Sequence, residues 1–154
     1  YPRGSAHQGL REYQVPVEYG RSEIIRKGKK IAVLGVGSMI PSCMEICKGL
    51  KDDGYDPTFV NARFVKPLDV DLLDELAKDH SLFVTVEENV KSGGYGEHVS
   101  AYMEACHPEI RVLSAAVWDR FVPQGNVESL RSRIGLGVED IRQAIEDSEE
   151  LREQ

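Results

Sequence analysis

The chain is short of positive charge, of long apolar runs and of every common catalytic spacing. Lys and Arg number 19 against 26 Asp and Glu, a net charge of −7. Affinity for a phosphate backbone needs clustered Lys and Arg, so this balance argues against a nucleic-acid partner. No apolar run is long enough to cross a bilayer. The first residues also lack the hydrophobic segment of a signal peptide. The expectation is a cytoplasmic protein with no membrane partner.

The three cysteines, Cys43, Cys47 and Cys106, form no Cys-x-x-Cys pair. Cys43 and Cys47 fall four apart on a predicted helix and therefore share a face. A metal pair is conceivable there, but no histidine lies nearby in sequence, and all three are read as thiols of the core. His7, His80, His98 and His107 show no His-x-x-x-His spacing, and no Gly-x-Ser-x-Gly elbow exists for a serine nucleophile. Gly35-Val36-Gly37-Ser38 lacks the third glycine of a dinucleotide fingerprint and the Gly-Lys-Ser/Thr of a P-loop. It is read as a strand-to-helix turn capped by Ser38, in preference to a phosphate-binding turn. No complete active site is visible.

What is present has the form of one domain. The 154 residues, 41% hydrophobic and 29% charged, suit a globular unit with a single core. From Lys30 onward, strands and helices alternate. Strands are predicted over 31–36, 58–62, 82–86 and 111–117, and helices over 40–51, 70–79, 97–106, 127–133 and 138–151. This implies a three-layer α/β fold with a mostly parallel sheet of about five strands, covered on both faces by helices. Residues 1–29 read differently, as a linker loop followed by an antiparallel edge strand or hairpin around Tyr19-Gly20; residues 30–154 form the α/β domain. The abrupt opening at Tyr1 is read as the start of a piece of something longer.

Two segments carry candidate chemistry. In Pro57-Thr-Phe-Val-Asn-Ala-Arg-Phe-Val-Lys-Pro-Leu-Asp69, Pro67 cannot donate to a sheet, and Asp69 is a good N-cap for the next helix. Arg63 therefore sits near the C-terminal end of a strand, the edge where open α/β sheets bind ligands. Its guanidinium could grip a phosphate or carboxylate through parallel N–H bonds, or simply pair with a neighbouring carboxylate. In Glu87-Glu88-Asn89, adjacent residues on a strand point to opposite faces, so the two carboxylates are not a facing dyad. One is expected to face a cleft or partner domain, and the other to cap a helix or be solvated. The glycines of Gly93-Gly94-Tyr95-Gly96 are read as structural.

Taken in order, Tyr1-Pro-Arg-Gly4, Val60-Asn-Ala-Arg-Phe-Val-Lys-Pro-Leu-Asp69, Val84-Thr-Val-Glu-Glu-Asn89, Gly93-Gly-Tyr-Gly96 and Asp119-Arg-Phe-Val-Pro-Gln-Gly125 form a set. That set resembles the C-terminal, transketolase-like domain of the 1-deoxy-D-xylulose-5-phosphate synthase family, over the whole chain. The resemblance implies part of a homodimeric transferase that uses thiamine diphosphate and Mg2+. Such an enzyme condenses pyruvate with glyceraldehyde 3-phosphate, releasing CO2, on the way to isoprenoids, thiamine and pyridoxal. The family's cofactor lies between two preceding domains; its Gly-Asp-Gly motif and activating glutamate have no counterpart here. By the same resemblance Arg3 and Arg63 clamp the acceptor's phosphate and Tyr1 helps shape that pocket. No catalytic, cofactor-binding or metal-ligating residue falls in the chain, and the piece alone is expected to be inactive. Ser5 to Arg11 departs from the pattern, which leaves any role for Glu12 open. Two other readings stand beside this one. The first is the corresponding domain of a transketolase or a 2-oxoacid dehydrogenase β subunit, serving mainly as an interface. The second is a stand-alone module for a phosphorylated ligand.

Overall fold

The structure is a computed structural model and describes residues 15–119 and 126–148. Its elements run β1 (Glu23–Arg26), β2 (Lys30–Gly35), α1 (Ile40–Asp52), β3 (Thr58–Asn61), α2 (Val70–Leu76), β4 (His80–Val90), α3 (Tyr95–Cys106), β5 (Arg111–Val117), α4 (Val127–Arg133) and α5 (Val138–Glu146). The five strands form one sheet in the order β1-β3-β2-β4-β5. β1 pairs antiparallel with β3, and every other pair is parallel. The expected sheet, including its antiparallel edge strand, is therefore present.

The central strand shows why. After the exposed Lys30, all five residues of β2 are buried. Alternate side chains point to opposite faces, so a strand covered on both sides reads as a continuous apolar run. Ile31 and Val33 join Ile46, Leu50, Ile141 and Ile145 in the layer with α1 and α5. Ala32 and Leu34 join Leu73, Leu76, Val99 and Met103 in the layer with α2 and α3. Each fully buried Leu, Ile or Phe contributes about 1.5–3 kcal/mol. α4, by contrast, buries no residue at all.

Several expectations need correction. Val15 to Val17 do not form the first arm of a hairpin; the chain turns at Tyr19-Gly20 and only Glu23–Arg26 enters the sheet. α2 stops at Leu76, because Ala77 to Asp79 turn back towards β2, where Asp79 O accepts from Lys30 N at 3.0 Å. β4 runs well past Val86, since pairing resumes beyond a register shift at Val90 with Val117. α5 ends at Glu146 with Asp147 as its C-cap; the expected extension from 149 onward lies outside the described residues. Cys43 and Cys47 are buried, but Cys106 is exposed, because it closes the last turn of α3.

Candidate functional site at the C-terminal edge of the sheet

The C-terminal ends of β2, β3 and β4 lie side by side. The chain leaves β2 towards β3 on one side and later crosses to β4 on the other. In open α/β sheets such a reversal opens a crevice at the strand ends, the usual place for a ligand. Two clusters of charge occupy this edge.

The first surrounds Arg63. Directly after β3 its backbone takes φ 58°, in the left-handed region. That conformation costs an L-residue roughly 1–2 kcal/mol, and such outliers concentrate at ligand clamps and switch regions. Asn61 helps to hold the turn, its side-chain oxygen accepting from Arg63 N at 3.2 Å. The guanidinium donates from Nη2 to Glu23 Oε2 at 2.5 Å, and the two side chains are only 12% and 9% exposed. The antiparallel register sets Glu23 opposite Asn61 and so delivers the carboxylate to the strand end. Arg63 also donates to the carbonyls of Val15 at 3.2 Å and Pro16 at 3.4 Å. Of the two readings of Arg63, pairing with a neighbouring carboxylate is the state the structure holds.

The expected cap at Asp69 is present and has further partners. Its carboxylate accepts from Leu72 N at 3.4 Å, from Ser22 N at 2.7 Å and from Arg21 at 3.0 Å. The Lys66-Pro67 peptide between Arg63 and this cap is cis.

The second cluster lies across the crevice. Arg131 of α4 grips Glu88 through two bonds, Nε to Oε1 at 3.0 Å and Nη2 to Oε2 at 2.9 Å. Ser38 Oγ donates to the same carboxylate at 2.7 Å. The Arg131 guanidinium, with a smaller contribution from Ser38, holds the Glu88 carboxyl below its usual range against the opposing effect of partial burial. Ser38 is therefore not the expected cap. Neither the short 3-10 turn at Gly37–Met39 nor α1 has a side-chain cap, and a proline in the first turn of α1 removes one donor that would otherwise need a partner.

Glu87, one residue away, is 1% exposed. Its carboxylate accepts from Tyr95 N at 2.9 Å and Gly96 N at 2.8 Å, capping the positive end of α3 from a neighbouring strand. The glycines are the condition for this. A Cβ on Gly94 would sit 2.6 Å from Glu87 Oε1, and one on Gly96 would sit 2.6 Å from Thr85 Oγ1. Burial, with Asp69 and Glu87 nearby, pushes the Tyr95 phenol well above its ordinary range. Glu87 and Glu88 thus diverge as expected, one buried as a cap and the other at the crevice.

Arg3 and Tyr1, the other expected phosphate-site residues, lie outside the described residues, as does most of the Asp119–Gly125 motif. Among the described residues no group of three or more His, Cys, Asp or Glu is placed to hold a metal. No helix there is long and apolar enough to cross a membrane. Reading from sequence missed Glu23 and Arg131, whose partners lie 40 and 43 residues away along the chain. No local pattern signals a pairing at that distance.

Doubly wound topology with an antiparallel edge strand defines the class, an open α/β domain, here with charge gathered at its C-terminal strand ends. Residues 20–141 match the family described as the transketolase C-terminal domain, and the chain belongs to that family. It is 39% identical over 142 residues to the 1-deoxy-D-xylulose-5-phosphate synthase of Lachnoclostridium phytofermentans, which covers 92% of this chain and 23% of that protein. It is 40% identical over 149 residues to the same enzyme of Nitrosomonas europaea, covering 96% of this chain and 23% of that protein. The chain thus spans under a quarter of the length of these curated relatives. Among solved structures, a split-gene transketolase described as an inactive beta4 tetramer superposes with a TM-score of 0.85 at 28% identity, over 96% of this chain and 48% of that one. A Campylobacter jejuni transketolase, at TM-score 0.58 and 16% identity over 84% of this chain and 19% of that one, shares the fold.

Proposed function

We propose that this chain is the C-terminal domain of a 1-deoxy-D-xylulose-5-phosphate synthase. The whole enzyme is a cytoplasmic homodimer that condenses pyruvate with glyceraldehyde 3-phosphate and releases CO2. The observation carrying this reading is the 39% identity sustained over 92% of the chain. Thiamine diphosphate, held with Mg2+ in the whole enzyme, supplies the two-carbon chemistry. In this reading the preceding domains of the whole enzyme hold that group. The part of this chain is to receive the acceptor, and the domain alone is inactive.

Arg3 and Arg63 are the guanidiniums that serve the acceptor's phosphate, with Tyr1 shaping the pocket. Holding the acceptor in register lowers the entropic part of the barrier to joining two substrates. In the full-length enzyme, Arg63→Ala raises the KM for glyceraldehyde 3-phosphate by about tenfold or more, given that charge-assisted bonds contribute about 1.5–3 kcal/mol, and barely moves that for pyruvate. Equal effects on both substrates would sink the assignment.

A second reading gives the domain a mainly interfacial role, as in a transketolase or a 2-oxoacid dehydrogenase β subunit. Trp118, 59% exposed, and Val127, 55% exposed, favour it as apolar surface available to a neighbouring domain or subunit. Recognition of a lipoyl domain in place of a sugar phosphate would select this reading.

A further inference from the structure

Carboxylates at the ligand edge come with guanidiniums of their own: Asp69 and Asp71 share Arg21, Glu23 has Arg63 and Glu88 has Arg131. Glu87 is taken up by the amides of Tyr95 and Gly96. The Lys91 ammonium lies over the Trp118 ring, 5.2 Å from its centroid. The sheet register relates two of these pairs. Asn61 of β3, Gly35 of β2 and Val86 of β4 lie abreast, and Arg63 and Glu88 each follow two residues later. Adjacent strands are about 4.8 Å apart, so roughly 10 Å separates the two positions across the edge. At that distance a bare Glu88 carboxylate repels a phosphate monoester held by Arg63, which carries a charge of about −1.5 to −2 at neutral pH.

Stability gives little reason for the Arg131 clasp. The pair is partly exposed, α4 buries no residue, and ion pairs of this kind add little to a fold. What the clasp does accomplish is charge cover, since the guanidinium engages both oxygens of Glu88. We infer that Arg131 is a specificity-determining residue: by cancelling the charge of Glu88 it keeps this edge open to a dianionic ligand. The inference rests on the function proposed above and deepens it, because Arg63 remains the ligand contact and Arg131 sets the charge beside which it works. A clasp that only held α4 in place predicts something else, since Glu88 and Arg131 would then be needed equally.

The test is a charge series in the full-length enzyme at low ionic strength. Arg131→Gln leaves Glu88 bare and raises the KM for glyceraldehyde 3-phosphate about three- to fourfold, the effect of one charge on a dianion at about 10 Å in water. Glu88→Gln leaves Arg131 bare and lowers that KM by a similar factor. The double variant returns it to the wild-type value. None of the three moves the KM for glyceraldehyde without its phosphate. The differences fade in about 1 M salt, where the screening length falls to about 3 Å. A raised KM in Glu88→Gln, or equal effects on the phosphorylated and unphosphorylated aldehydes, would overturn the inference in favour of a tether.

In this chain, NMR relaxation of the Ala62 and Arg63 amides by anionic and cationic nitroxide probes reads the potential at the edge directly. Arg131→Gln turns the balance towards the cationic probe, with the Leu34 and Val84 amides unchanged as a check on folding. An unmoved balance in the folded variant would overturn the inference whatever the kinetics. If the balance shifts while Arg63→Ala moves neither substrate's KM, the charge role stands and the acceptor reading falls. If Arg63→Ala raises the acceptor's KM and Arg131→Gln does not, the acceptor reading stands and the inference falls.

Discussion

The two acid–arginine pairs on this edge make an instructive contrast. Arg131 meets Glu88 through two bonds of good length, whereas Arg63 meets Glu23 through one. Contact geometry by itself would rank the Glu88 pair higher. Burial reverses the ranking: side-chain exposures are 20% and 37% for Arg131 and Glu88, against 12% and 9% for Arg63 and Glu23. Water can solvate either member of the first pair when the other is removed. In the second, the survivor keeps its charge in a poorly solvated place. The buried pair also works with a strained backbone turn, and the exposed pair tethers a helix that buries nothing.

The sharpest way to break the comparison is Glu23→Ala. It leaves Arg63 without its carboxylate and should cost about 3 kcal/mol, the lower end of the range for breaking a buried pair, because the Val15 and Pro16 carbonyls still accept from the guanidinium. Urea midpoints of the chain would measure this; a loss under 1 kcal/mol would place the pair with surface ion pairs. Next comes Glu87→Ala, which strips α3 of a buried, charge-assisted cap and should cost about 1.5–3 kcal/mol. Loss of amide-exchange protection confined at first to Tyr95 and Gly96 would locate the effect.

His80 is intermediate. The Leu76 carbonyl can only accept, so Nδ1–H donates to it at 2.8 Å, and in the neutral ring Nε2, 2.7 Å from Thr58 Oγ1, accepts the hydroxyl. Burial is the main cause that lowers its pKa below the ordinary 6.5. A group depressed in this way stabilises the fold fully above its unfolded pKa and loses that contribution as pH falls through the folded value. Stability of the chain should therefore drop with acidification from about pH 6.5 downward, and His80→Gln should flatten that limb.

Arg131→Ala is the smallest, about 0–1 kcal/mol once solvent screening is allowed for. The Glu88 pKa is lowered, so its contribution is complete above the unfolded carboxylate range and fades as pH falls through the folded value. Arg131→Ala should cost least in acid and in high salt; an effect as large as that of Glu23→Ala would erase the distinction between the pairs.

Much of this architecture is legible from local pattern. The bounds of β5 and α4 agree with the residues expected, and β2, α1 and β3 differ by a residue or so, because apolar periodicity, Pro67 and Asp69 mark them. Terminal and bent segments are less readable. Cys106 looked like its two buried counterparts, but whether a helix's last turn is covered depends on what packs above it. Ser38 looked like a cap until Glu88, 50 residues on, claimed its hydroxyl. In the candidate site, the location of Arg63 at a strand end was readable; its left-handed backbone and its partner were not.

The amino-acid sequence by itself determined the alternating strands and helices, the two-faced burial of β2 and the family to which the chain belongs. These follow from hydrophobic spacing and short-range backbone preferences acting within a few residues. Only the tertiary structure decided that Glu23 meets Arg63, that Glu88 meets Arg131 and Ser38, and that Glu87 turns inward to cap α3. Each depends on sheet order and register, which bring together groups tens of residues apart and decide how much water reaches them.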